Sequence, residues 1–119
     1  MSSRRVERVN HAMREVIAEL LLREIKDPRV DMVSISEVDV SPDLRNARVY
    51  FSCIGDDEHV TRAQRGLESA AGFVRSQLSK RLQMRHAPEL RFQHDESFKR
   101  AEHLAGLLRG AGSGAGSGD

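Results

Sequence analysis

LESAAGFVRSQLSKRLQMR, residues 67–85, decides how the rest of the chain is read. Leu67, Ala70, Val74, Leu78 and Leu82 recur at helical spacing, so the stretch predicts an amphipathic helix. Gly72 stands inside that run, where it costs about 1 kcal/mol relative to Ala. Positive charge accumulates directly after it. The reading is a helix interrupted at Ala70, Ala71 and Gly72, with a basic second half.

Upstream of the interruption, the same apolar stripe extends back through Ala63 to Val60, and Asp56 or Asp57 supplies a cap with carboxylates at the positive end of the helix dipole. Before that come two alternating runs. MVSISEVDV (32–40) places Val33 and Ile35 on one face, slips phase at Ser36 and Glu37, and resumes with Val38 and Val40, which predicts a strand with a bulge. NARVYFSCI (46–54) alternates Ala47, Val49, Phe51 and Cys53 against Arg48, Tyr50 and Ser52. The five residues between the runs, SPDLR, carry turn chemistry, so an antiparallel hairpin follows. At the N-terminal end, Val6, Val9, Met13, Ile17, Leu20, Leu21 and Ile25 mark a long helix over 5–26, with Ser2 or Ser3 as its cap. Pro28 disfavours the helical conformation at Asp27 and ends it.

Downstream, HAPEL stops the basic helix and ELRFQH (89–94) reads as a third strand, with Leu90 and Phe92 opposite Arg91. A last short helix is expected through Phe98, Ala101, Leu104, Ala105 and Leu108, with Ser97 as its cap. Residues 109–119 contain no large apolar side chain and are expected to be disordered. The order is helix, strand, strand, broken helix, strand, helix: an α+β domain over 4–108, with helices packed on a three-stranded sheet.

The totals exclude several classes. A chain of 119 residues holds one compact domain, and its formal charge is only +1. The distribution is more informative. Residues 31–58 carry seven acids against Arg45 and Arg48, a net of −5; residues 75–91 carry five bases against Glu89, a net of +4. Cys53 is alone, which rules out an internal disulfide, and its place in an apolar alternation marks it as a core residue. The five His show no ligand spacing, and HDES (94–97) has nothing to orient it as a triad, so neither a metal nor a cofactor is expected. No apolar run reaches membrane-spanning length and no signal peptide is visible, which points to a cytoplasmic protein.

The candidate nucleic-acid contacts are Arg75, Lys80, Arg81, Arg85 and Arg91, because phosphate binding needs several cations held together. On a continuing helix Arg81 and Arg85, four apart, share a face; Lys80 lies one position around and Arg75 falls on the other flank. Arg4, Arg5 and Arg8 begin the first helix, where positive charge does not complement the dipole and an external anion would. Arg23 sits four after Glu19 and reads as an exposed intrahelical pair. SPDLRNAR is read as a turn rather than a contact loop.

The element order resembles a type II KH domain, a module whose helix pair flanks a GxxG loop that grips the nucleic-acid backbone. No GxxG is present; AAG (70–72) stands in its place, which resembles the ribosome-binding factor A family. EIKDPRV (24–30), VSPDLRNARVY (40–50), GFVRSQLSKRL (72–82) and PELRFQHDES (88–97) carry the resemblance in order and spacing. It implies a non-catalytic assembly factor, monomeric and without a cofactor, that binds the small (30S) ribosomal subunit and its 16S rRNA. It further implies a part in late maturation around processing of the rRNA 5′ end, importance in the cold, and contact with other assembly factors. The rival expectation is a protein–protein module that uses the acidic hairpin edge at 31–58.

Overall fold

The computed structural model describes residues 4–96; the expected caps at Ser2, Ser3 and Ser97, the helix over 98–108 and the tail over 109–119 lie outside them. Helix α1 spans Arg4–Arg23, strand β1 Val33–Val40, strand β2 Asn46–Cys53, helix α2 Asp57–Arg81 and strand β3 Glu89–His94. A short 3-10 turn at Pro28–Val30 follows α1. The sheet order is β1-β2-β3. The hairpin β1–β2 is antiparallel, from Val33 opposite Cys53 to Val40 opposite Ala47. Strand β3 pairs parallel to β2, from Asn46 beside Glu89 to Phe51 beside His94. Parallel pairing requires a crossover, and α2 is that crossover. The α+β class is as the residues predicted.

Alternation decides which face of the sheet is covered. Ile35, Val38, Val40, Ala47, Val49, Phe51 and Phe92 point to the helices and are buried, where they meet Met13, Ile17 and Leu20 of α1 and Ala63, Leu67, Val74 and Leu78 of α2. Arg48, Asp39 and Arg91 stand on the open face. The phase slip in β1 is real: register shifts between Ile35 and Glu37, so Ser36 is the extra residue. Its hydroxyl donates to Asp95 Oδ2 at 2.7 Å, across the sheet end. Cys53 is half-buried rather than a full core residue, since its strand position is the last of β2. Its thiol pKa is raised by burial, which makes it a poor nucleophile.

Helix α1 ends at Arg23, short of the expected Lys26. Asp27 ends the segment by accepting from Arg29 N at 3.0 Å and pairing with the Arg29 guanidinium at 2.7 Å, which caps the 3-10 turn. Val30 from this turn packs against Gly66 of α2: a Cβ on Gly66 would lie 2.8 Å from Val30 Cγ1 and 3.1 Å from Arg29 Cβ. Gly66 is therefore the glycine of α2 that close packing requires.

Gly72 is not. The expected break at Ala70, Ala71 and Gly72 is corrected: α2 is one uninterrupted helix of 25 residues. A Cβ on Gly72 would meet nothing within 4 Å, and its φ is not positive. Neither close approach nor a special backbone conformation accounts for it. The helix survives because buried Leu67 lies on one side of Gly72 and buried Val74 and Leu78 on the other, and burying such side chains outweighs a propensity cost of about 1 kcal/mol. The start of α2 is as anticipated: Asp56 Oδ1 accepts from His59 N at 3.1 Å and forms a capping box with it.

Candidate nucleic-acid interface

The positive residues named from sequence separate into two populations once side-chain partners are traced. Arg75 is spent inside the protein. Its Nε donates to Pro88 O and its second terminal nitrogen to Ala87 O, both at 3.0 Å, and it pairs with Glu89 at 3.3 Å. Arg81 is exposed but also paired within the domain: it donates to Gln77 Oε1 at 3.2 Å and pairs with Glu19 at 3.2 Å and Glu24 at 3.6 Å, joining α2 to α1. Arg23 also meets Glu19, at 3.9 Å, as its spacing predicted. Lys80, Arg85, Arg91, Arg4, Arg5 and Arg8 are exposed and hold no hydrogen bond or ion pair among the described residues.

The free cations do not form one stripe along α2. Arg85 is not on the helix at all. Leu82 caps α2, Gln83 takes a left-handed conformation at φ 53°, and Met84 N reaches back to Ser79 O at 3.0 Å. That is the six-residue closure that ends helices, here without glycine at the left-handed position. Ser79 Oγ donates to Met84 O at 3.1 Å and pins the reversed segment. Arg85 is thereby turned away from Arg81, and the shared face expected from i,i+4 spacing is lost. Arg91 is on the open face of the sheet, in register with Arg48, in a recess of about 650 Å³ that Asp39 and Glu89 also line. Arg4 and Arg8 share a shallow surface with Glu7 and His11.

One pole of the domain gathers charge from three separate segments. A groove of about 460 Å³ is lined by Arg5 from the start of α1, Arg45 from the β1–β2 turn, and Arg85 and His86 after α2. Hydrogen bonds hold these segments together. Val40 N donates to Asn10 Oδ1 at 2.7 Å, which ties the first turns of α1 to the end of β1. Glu89 N donates to Arg45 O at 2.9 Å, which ties the start of β3 to the hairpin turn. Arg75, gripping the carbonyls of Ala87 and Pro88, fixes the loop that carries Arg85 and His86.

The turn itself is closed by its own hydrogen bonds. Leu44 N donates to Ser41 O at 2.8 Å, Ser41 Oγ to Asp43 Oδ1 at 2.6 Å, Arg45 N to the same oxygen at 3.0 Å, and Asn46 N to Ser41 Oγ at 3.1 Å. The Ser41 hydroxyl, then the Arg45 amide, hold the Asp43 carboxyl below its ordinary value. SPDLR is thus the turn that its residues predicted, and it also aims Arg45. Sequence reasoning missed Arg45 because it sits within an acidic stretch, and missed His86 because nothing in its spacing marks it.

His94 stacks obliquely on buried Phe51, with ring centroids 5.6 Å apart, so its position has a packing reason. Among the described residues no group of three potential metal ligands is present, and no helix is long and apolar enough to cross a membrane.

Comparison with known proteins agrees with the architecture. The family model for ribosome-binding factor A matches residues 5–108. The ribosome-binding factor A of Natranaerobius thermophilus is 43% identical over 109 residues, covering 92% of this chain and 83% of that protein. The Geobacter metallireducens protein is 40% identical over 116 residues and 98% of both chains. Among solved structures, the putative ribosome-binding factor A of Thermotoga maritima aligns with a TM-score of 0.68 at 34% identity, over 76% of this chain and 86% of that one. Fold, spacing and identity over nearly the whole chain together place this protein in the ribosome-binding factor A family.

Proposed function

We propose that the protein binds the small (30S) ribosomal subunit through its 16S rRNA and acts there as a non-catalytic, monomeric assembly factor. One observation carries the choice of partner. A homology model of the Thermus thermophilus ribosome-binding factor A, which aligns with this chain at a TM-score of 0.61 and 25% identity over 73% of this chain and 91% of that one, has been fitted into the cryo-EM map of a 30S complex. The arrangement of charge supports the same reading: the guanidinium groups of Arg5, Arg45 and Arg85 line one groove that holds a single carboxylate, Asp43, and so suit an RNA backbone.

The finer role we assign is late subunit maturation, including processing of the 16S rRNA 5′ end and support of growth in the cold, within the cytoplasm and alongside other assembly factors. The domain over 4–108 carries this activity. Two measurements test it. The protein should co-sediment with 30S subunits, with binding that falls steeply as salt rises. Cells lacking it should accumulate 5′-extended 16S rRNA, most strongly at low temperature. Co-sedimentation that is insensitive to salt would favour the rival protein–protein reading through the hairpin edge. Absence of co-sedimentation would contradict the proposal.

A further inference from the structure

We infer that the groove between Arg5, Arg45, Arg85 and His86 is a phosphodiester-binding site, and that the β1–β2 turn is one of its walls. This rests on the reading of the protein as an rRNA binder, and it replaces a basic face along the second half of α2 with a groove built from three segments.

Five observations support the assignment. The lining arginines come from three different segments, so their convergence is a product of the fold and not of local sequence. Their guanidinium groups make no hydrogen bond or ion pair among the described residues, whereas Arg75 and Arg81 are fully engaged. An Arg fork matches the geometry of a phosphate and cannot lose its charge near neutral pH. The one carboxylate in the lining, Asp43, directs Oδ1 to Ser41 Oγ and Arg45 N, so it builds the wall that carries Arg45. Val9, Leu44, Leu82 and Met84 complete the groove with apolar surface suited to a ribose or a base edge. A volume of about 460 Å³ accommodates a nucleotide of a longer strand. The partner is therefore an RNA backbone, held by charge and shape with little reading of sequence.

The test uses the full chain and purified 30S subunits. Arg45→Glu/Arg85→Glu should weaken binding at least tenfold, while the thermal midpoint stays at the wild-type value because neither side chain holds the fold. The control is Lys26→Glu/Arg65→Glu, which makes the same charge change at two exposed residues that do not line the groove, and it should retain affinity within about threefold. A photo-crosslinking residue in place of His86 should attach to 16S rRNA. Equal losses in the two double variants would overturn the site in favour of diffuse attraction, and wild-type affinity in Arg45→Glu/Arg85→Glu would overturn it directly. Crosslinks confined to a ribosomal protein would overturn the RNA assignment. Failure of the wild-type chain to bind 30S subunits would instead remove the underlying reading.

Discussion

Two sets of arginines do opposite things, and two of their members, Arg81 and Arg85, are only four residues apart in sequence. Arg75 and Arg81 give their hydrogen bonds to carbonyls and carboxylates of the same domain, and they set how α2 meets the 87–89 loop and α1. Arg5, Arg45 and Arg85 give theirs to nothing among the described residues and face one groove. Charge alone does not distinguish them. What does is whether the fold brings an acceptor within reach, and that depends on tertiary contacts 12 to 62 residues away in sequence. The lesson is that the frame uses part of the positive charge to hold the remainder in place.

The contrast can be broken from the frame side first. Gly66→Ala puts a methyl group against Val30 in a closed junction, and we expect a loss of about 1–3 kcal/mol in denaturant unfolding. The affinity of the folded fraction for 30S subunits should stay unchanged. Arg75→Ala should cost about 1–2 kcal/mol, a figure reduced for the partial exposure of the side chain. Unlike Gly66→Ala, it should also weaken binding, because it frees the loop that presents Arg85 and His86. Gly72→Ala has the opposite sign. With open space around the Cβ and a helical backbone, it should stabilise by up to about 1 kcal/mol and leave binding intact. A loss of binding there would restore a functional bend at that residue.

The smallest effect is pH-dependent. The carboxyls of Asp27, Asp43 and Asp56 are all held below the ordinary value, chiefly by hydrogen bonds from Arg29, Ser41 and His59 respectively. A depressed carboxylate contributes stability that is complete above its unfolded value, near 3.8, and lost as pH falls through the folded one. The thermal midpoint should therefore decline below about pH 4 and be flat above it. Asp43→Asn should make that decline shallower. Since Asp43 Oδ1 also holds the wall of the groove, Asp43→Ala, which removes the acceptor of both bonds, should weaken subunit binding at neutral pH, whereas Asp27→Ala should not.

Much of the fold was legible because alternation and helical periodicity report burial directly. Val33 to Val40 gave even the bulge, since a single extra residue shifts every later side chain to the other face. The boundaries of β3 and the cap at Asp56 were legible for similar local reasons. Gly72 was misjudged because a propensity cost is local, while the burial that overrides it involves α1 and the sheet. Arg85 was misplaced because Gln83 adopts a left-handed conformation that sequence would assign to glycine or asparagine. The site was half legible: Arg5 and Arg85 were named, but their meeting with Arg45 depends on Asn10 and Glu89 tying three segments to one pole. Spacing along one element carries no trace of such a meeting.

The claim that the protein divides its arginines between holding the frame and meeting rRNA is tested most directly by the salt dependence of 30S binding. Wild type would be compared with Arg5→Gln/Arg45→Gln/Arg85→Gln and with Arg75→Gln/Arg81→Gln. Each phosphate contact contributes roughly 0.7–0.9 to the slope of log affinity against log salt concentration. The groove variant should lower that slope by about 2–3, and the frame variant should lose stability and lower the slope by no more than about 1, the share of Arg85. A groove variant with the wild-type slope, or a frame variant that reduces it by the same amount, would contradict the account.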